Sequence, residues 1–259
     1  MTLTEKEHRL EEILRSAGSV YIAYSAGVDS TFLLRAAYDI TGAVTAVTMR
    51  SPFMPEEEIE DSISFCKEQG IPQIIVDHDT LTGDIVHNPP DRCYRCKRVI
   101  FSRIKSLAEE NGIVAVFDGS NADDDPADRP GMRALEELGI RSPLREAGLT
   151  KADIRALSRK MGLPTWDKPS LACLATRIAT GERLTKEKLA MTAAAERYIR
   201  SLGIAQCRVR MQGDTARIET DPDDIPRLAA QGTASAVYEH LRGLGYTHVS
   251  LDLGGYGRR

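Results

Sequence analysis

Two groups of residues in this chain have the types and spacing for chemistry. The first is Ser25-Ala26-Gly27-Val28-Asp29-Ser30-Thr31, between an apolar run and a helical pattern. Small residues let the backbone bend tightly, and the N–H groups at the following helix start would form an anion pocket. Neither Gly-x-x-x-x-Gly-Lys-Ser/Thr nor Gly-x-Gly-x-x-Gly occurs, so no lysine of this loop reaches for a γ-phosphate. A helix start capped by Ser and Asp, with no ligand at all, would use the same residues.

The second group is the cysteines. Asn88-Pro89-Pro90-Asp91-Arg92-Cys93-Tyr94-Arg95-Cys96-Lys97 places a Cys-x-x-Cys at the start of a helix. The helix N-terminus and the flanking Arg92, Arg95 and Lys97 would favour thiolate at both positions. A redox dithiol and half of a zinc site are both compatible with such a pair. Zinc wants four ligands, however, and there is no second Cys-x-x-Cys or His pair; a thioredoxin-like dithiol would follow the first strand. Cys173, in Lys168-Pro169-Ser170-Leu171-Ala172-Cys173-Leu174-Ala175-Thr176-Arg177, is either a packed small hydrophobe or a thiol in a basic, proline-bent interdomain segment. Cys66 shares an apolar helix face with Ile59, Ile63 and Phe65, and Cys207 begins a strand, so both read as core. Arg208-Val209-Arg210 alternates along a strand, which puts two guanidiniums on one face, suited to phosphate or simply to solvent. Asp123 and Asp124, after the fourth strand, are either a cation or substrate site or an acidic surface loop.

Composition narrows the setting. The 259 residues include 34 Lys plus Arg against 38 Asp plus Glu, a formal net charge of -4. That balance argues against a nucleic-acid partner. No apolar run approaches the roughly 20 residues that cross a bilayer, and Met1–Glu7 has no secretory apolar segment, so a cytoplasmic location is expected. Five cysteines at irregular spacing make a poor disulfide framework.

These residues need elements to position them. Thr4 and Glu7 read as the capping box of a first helix that Gly18 ends. Strands are expected at 19–24, 44–49, 74–76 and 113–117, with helices at 30–38, from Glu56, at 96–110 and from Thr150 to Met161. Apolar strands alternating with helices imply an α/β fold with a doubly wound parallel sheet over residues 1–165. In such folds the loops after residues 24, 49, 77 and 117 line the site. Residues 166–259 hold the Cys173 segment and a smaller α+β domain: a helix at 185–201, strands at 206–211 and 216–220, a helix near 234–242 and a strand at 249–251.

The Ser25 loop resembles the Ser-Gly-Gly-x-Asp-Ser pyrophosphate loop of the PP-loop ATP pyrophosphatases, with Ala26 where that family usually has glycine. A methyl there is tolerable if the residue keeps negative φ. The resemblance implies an adenine nucleotide alpha hydrolase-like domain that cleaves ATP between its α- and β-phosphates. Ser25, Gly27, Val28, Asp29 and Ser30 would hold pyrophosphate, Asp29 acting through Mg²⁺.

Pro89 to Lys97, Asp118-Gly119-Ser120-Asn121-Ala122-Asp123-Asp124, Arg129-Pro130-Gly131 and Lys168 to Arg177 together resemble the LarE family, across essentially the whole chain. These are ATP-dependent sulfur transferases that make the nickel-pincer nucleotide of lactate racemase and related enzymes. The resemblance implies that Cys173 delivers sulfur. It would do so sacrificially, leaving dehydroalanine, or through a [4Fe-4S] cluster held by Cys93, Cys96 and Cys173 with an extra sulfide on the fourth iron. Three thiolates suit a cluster with one open iron better than closed zinc. The implied acceptor is pyridinium-3,5-biscarboxylic acid mononucleotide, adenylated on a carboxylate before sulfur displaces AMP; two rounds give the bis-thiocarboxylate. Arg208, Arg210 and Arg177 would meet the acceptor's phosphate, Glu196 and Glu219 would lie near or bind metal, and a homo-oligomer is expected. A PP-loop thiolase acting on tRNA, or a non-catalytic nucleotide sensor or zinc-stapled module, would share parts of this pattern.

Overall fold

The strands of the first half read as unbroken hydrophobic runs because both of their faces are covered. The computed structural model describes residues 1–125, 130–169 and 172–257. Two units emerge, one formed by Met1–Asp79 with Asp91–Leu171, the other by Thr80–Pro90 with Ala172–Arg259.

In the first unit, β1 (Val20–Ala23), β2 (Val44–Arg50), β3 (Gln73–Asp77) and β4 (Ala115–Phe117) form a parallel sheet of order β3-β2-β1-β4. Helices α1 (Leu3–Ser16), α2 (Val28–Thr41), α3 (Glu56–Gln69), α4 (Arg92–Glu110), α5 (Gly131–Glu137), α6 (Pro143–Glu146) and α7 (Lys151–Lys160) complete it. Val20 and Ile22 pack to one side with Leu14, Leu33, Phe65, Leu144 and Leu157. Tyr21, Val47 and Met49 pack to the other with Phe101, Ile104 and Leu135. This alternation within an all-apolar strand is the doubly wound arrangement expected from the sequence. Residues 166–169 stay with this unit, where Arg155 donates to the carbonyls of Trp166 and Lys168 at 3.0 Å each.

Several boundaries differ from the sequence reading. The capping box of α1 is Thr2 with Glu5, not Thr4 with Glu7. Both pairs have the same spacing, and the earlier one lengthens the helix by two residues. Helix α4 begins at Arg92, so both cysteines of the Cys-x-x-Cys lie inside its first turns. The short α5 and α6 were not apparent from periodicity, because seven and four residues are too few to show it. No helix among the described residues is long and apolar enough to cross a membrane.

The second unit has a three-stranded sheet of order β5-β6-β7, from β5 (Cys207–Gln212), β6 (Thr215–Thr220) and β7 (His248–Leu251). The β5–β6 pair is antiparallel and β6–β7 parallel. Around it run α8 (Lys186–Ser201), α9 (Ile225–Ala229) and α10 (Gln231–Gly243). Residues 80–90 join this unit through Asn88, which adopts a left-handed φ of 50°. Its side-chain amide donates to the carbonyls of Ile178 and Ala179 at 3.0 and 2.8 Å.

One ion pair ties the ends of the first unit. Lys6 Nζ on α1 lies 2.6 Å from Asp153 Oδ2 on α7, and Asp153 also completes the Thr150 capping box. The Lys6 hydrogen bond, followed by the cap, holds the Asp153 carboxyl down to about 2. A depressed carboxyl stabilises the fold above its unfolded value near 4, and that contribution is lost as pH falls toward 2. Asp153→Asn should therefore cost about 1–2 kcal/mol at pH 7 by urea unfolding. The difference from the parent chain should shrink as pH drops through that window.

Candidate functional site

Strand β1 delivers Ser25-Ala26-Gly27 to the N-terminus of α2. No side chain caps that helix, so its first N–H groups face outward as donors. Ser25 and Ser30 close the loop from its two ends: Ser25 N lies 3.4 Å from Ser30 Oγ, and the hydroxyls are 3.2 Å apart. Ala26 has a φ of 53°, so the negative φ on which its methyl's tolerance rested is absent. The position asks for glycine, and an alanine there carries a penalty of roughly 1–2 kcal/mol. The fold accommodates that strain at a buried residue, 1% exposed.

Asp29, on the first turn of α2, receives Lys151 Nζ on Oδ2 at 2.7 Å. Its other oxygen, Oδ1, is buried with no hydrogen-bond partner. A buried carboxylate oxygen with no hydrogen-bond partner fits a hard divalent cation. Lys151 also links Asp29 to Asp123, because its backbone N–H donates to Asp123 Oδ2 at 2.7 Å. Asp124 is turned inward instead, accepting the Asn121 N–H at 3.0 Å. The loop after β4 passes so close to α2 that a Cβ on Gly119 would sit 3.2 Å from Ser30 N. A second cation, Lys168, lies 3.1 Å from the Ala26 carbonyl oxygen and 2.8 Å from Asp61 Oδ2. Neither lysine stood out in the sequence: Lys151 was hidden inside a helix-capping pattern, and Lys168 lies more than a hundred residues from the loop that it touches.

Cys93 is exposed and Cys96 half-buried, three residues apart on one face of α4. The guanidinium of the buried Arg92 lies 3.5 Å from Cys93 Sγ. Gly131 lets the start of α5 meet α4 here, since a Cβ would come 2.7 Å from the Lys97 Cδ and 3.4 Å from the Cys93 carbonyl oxygen. Arg129, with Ser170 and Leu171 of the Cys173 segment, lies outside the described residues. Cys66 and Cys207 are buried, and burial pushes their thiols up to about 12 and about 11. Among the described residues no three His, Cys, Asp or Glu side chains gather as a metal-holding group.

In the second unit the structure brings Arg177, Glu196, Arg208, Arg210 and Glu219 together around β5. Arg177 and Glu196 are 1% and 2% exposed and pair through two bonds, Nε to Oε1 at 2.7 Å and Nη2 to Oε2 at 3.0 Å. Arg208 and Arg210 share a sheet face with their β6 register partners Glu219 and Arg217. Glu219 binds Arg210 at 3.0 Å and Arg217 at 2.8 Å. Arg208 is buried with its guanidinium 5.0 Å from the Tyr256 ring centre. Burial, aided by the nearby Arg177 charge, pushes its pKa below the ordinary value. Arg217 also meets Asp252 Oδ2 at 3.6 Å, so three arginines stand against two carboxylates, a positive balance that suits an anionic group. Cys173, exposed, immediately precedes the single 3-10 turn Leu174–Arg177 that carries Arg177.

No family model matches the chain. It is 38% identical over 258 residues to the pyridinium-3,5-bisthiocarboxylic acid mononucleotide synthase of Lactiplantibacillus plantarum, covering 98% of this chain and 93% of that protein. An uncharacterised Synechocystis protein is also 38% identical, over 256 residues, 98% of this chain and 96% of its own. The tRNA-specific 2-thiouridylase MnmA of Agrobacterium fabrum is 28% identical over 189 residues, 56% of this chain and 47% of its own.

The burial of the thiols gives a direct test. Iodoacetamide at pH 8 should label Cys93, Cys96 and Cys173 of the metal-free protein, as read by peptide mass spectrometry. Cys66 and Cys207 should react only after denaturant is added.

Proposed function

This chain belongs to the LarE family of sulfur transferases within the PP-loop superfamily, and on that premise we propose that it adenylates pyridinium-3,5-biscarboxylic acid mononucleotide with ATP and replaces the AMP with sulfur. The observation that carries the reading is Asp29, whose buried Oδ1 has no hydrogen-bond partner and which lies in the first turn of a helix that no side chain caps. ATP would place its β- and γ-phosphates on the N–H groups of that helix start, and Mg²⁺ on Asp29 would shield the carboxylate from the phosphates. Lys151 and Lys168 supply the cations that the loop itself lacks. A substrate carboxylate oxygen attacks the α-phosphorus, the bond to the β-phosphate oxygen breaks, and pyrophosphate leaves. Sulfide then adds at the acyl carbon, the carbon–oxygen bond breaks, and AMP departs as the thiocarboxylate forms. Ser25, Gly27, Val28, Asp29 and Ser30 act by position and charge rather than by covalent chemistry.

Cys173 is proposed as the sulfur-delivering residue. The same reading assigns Arg208 and Arg210 to the acceptor's phosphate, supported by the positive sheet face, with Asp123 and Glu219 as the remaining acidic candidates. The donor chemistry also fits a [4Fe-4S] cluster on Cys93, Cys96 and Cys173. These three thiols are accessible, while burial keeps the thiols of Cys66 and Cys207 protonated. Such a cluster would supply an open iron able to carry sulfide.

Pyrophosphate release from ATP should depend on the pyridinium dicarboxylate nucleotide and should not respond to tRNA. Asp29→Ala should lower it by about 10²-fold or more. Release that responds to tRNA, or that survives Asp29→Ala, would remove the proposal. Anaerobic reconstitution with iron and sulfide should give cluster absorption and EPR signals that Cys173→Ala alters. Intact mass after turnover should leave Cys173 unchanged; loss of H₂S from it would mean sacrificial chemistry instead.

A further inference from the structure

Cys173 is the exposed head of a turn whose other residues, apart from the half-buried Thr176, are buried. It precedes a single 3-10 turn, Leu174–Arg177, and Leu174, Ala175, Arg177 and Ile178 are all no more than 3% exposed. Its carbonyl accepts the Thr176 N–H at 2.9 Å, the Thr176 hydroxyl at 2.8 Å and Arg177 Nη1 at 3.3 Å. Arg177 Nη1 also donates to the Ala172 carbonyl at 2.6 Å and lies 2.9 Å from Thr176 Oγ1. One edge of the guanidinium therefore grips the backbone that carries the thiol.

The other edge is locked to Glu196. Oε1 of Glu196 accepts Arg177 Nε and the Val209 N–H at 3.0 Å, while Oε2 accepts Arg177 Nη2 and has Arg200 at 3.5 Å. Three hydrogen bonds and one ion pair thus surround the carboxylate. They also tie three elements, the Cys173 turn, α8 and β5, to a single planar fork. A buried ion pair adds little net stability over apolar packing, so its presence beside an exposed thiol calls for a reason of geometry. Sulfur transfer needs the thiol held to within a fraction of an ångström of the productive position.

We propose that Arg177, clamped by Glu196, is the positioning residue that aims Cys173, in place of the phosphate and metal roles that the resemblance implied for these two side chains. The inference rests on Cys173 as the sulfur-delivering residue. Lysine at position 177 keeps the charge but has no fork, and glutamine at position 196 keeps the shape but has no charge.

Both Arg177→Lys and Glu196→Gln should selectively lose amide hydrogen-exchange protection at Thr176 and Ile178, with β5 and β6 still protected. The thiocarboxylate formed per pyrophosphate released should fall about 10²-fold as the acyl-adenylate is lost to water, with KM for the nucleotide within about twofold. Unchanged exchange in both variants would overturn the clamp. A raised KM with an intact product ratio would return Arg177 to phosphate binding and also overturn it. Should Arg177→Lys fail to fold, Glu196→Gln decides. If the wild-type protein releases no pyrophosphate, the proposed function fails instead, and the exchange measurement alone decides whether the clamp exists.

Discussion

Parallel strands send their carboxyl ends to one edge of a sheet, and the first unit depends on that constraint. With the order β3-β2-β1-β4, the strand at the point where the winding reverses is β1. The loops after β1 and β4 therefore leave side by side, and they meet closely enough that a Cβ at position 119 would crowd the backbone of Ser30 at 3.2 Å. Everything at the anion site follows from this meeting. Asp123 caps the start of α7 and thereby presents Lys151 to Asp29, and the turn after α7 returns Lys168 to the Ala26 carbonyl. The strained φ of Ala26 belongs to the same geometry: the chain must reverse there to open α2 with its N–H groups outward, and a methyl in the left-handed region is what this sequence accepts in exchange.

The second unit solves a different physical problem, how to keep several charges out of water without leaving one unpaired. Arg177 and Glu196 are nearly inaccessible, which is tolerable because each is paired with the other and hydrogen-bonded to the backbone. On the neighbouring sheet face Arg208, Arg210 and Arg217 stand against Glu219 and Asp252. The two clusters lie on adjoining residues of β5, and Arg210 also donates to the Thr176 carbonyl of the Cys173 turn at 2.8 Å.

The five cysteines divide by burial. Cys66 and Cys207 are core atoms whose thiols desolvation holds in the protonated form. Cys93 and Cys173 are exposed and Cys96 is half-buried, the condition for metal or sulfur chemistry. No disulfide pattern in the spacing could make that division.

Much of this was legible in the residues alone. Apolar runs alternating with helical patterns determined the doubly wound sheet, because burial on both faces leaves no polar alternation. The small-residue loop marked the start of α2, where a helix has N–H donors with no partner. Helix ends were less legible: Thr2–Glu5 and Thr4–Glu7 are the same motif, and only the packed chain chooses between them. The left-handed Ala26 was invisible, because φ at one residue is set by where the chain must go next. So were the contacts of Lys151 and Lys168, the Arg177–Glu196 clamp and the docking of residues 80–90 through Asn88. Each of these joins positions from nineteen to more than a hundred residues apart. Local propensity carries no record of such separations; only the folded chain brings the partners within a bond length.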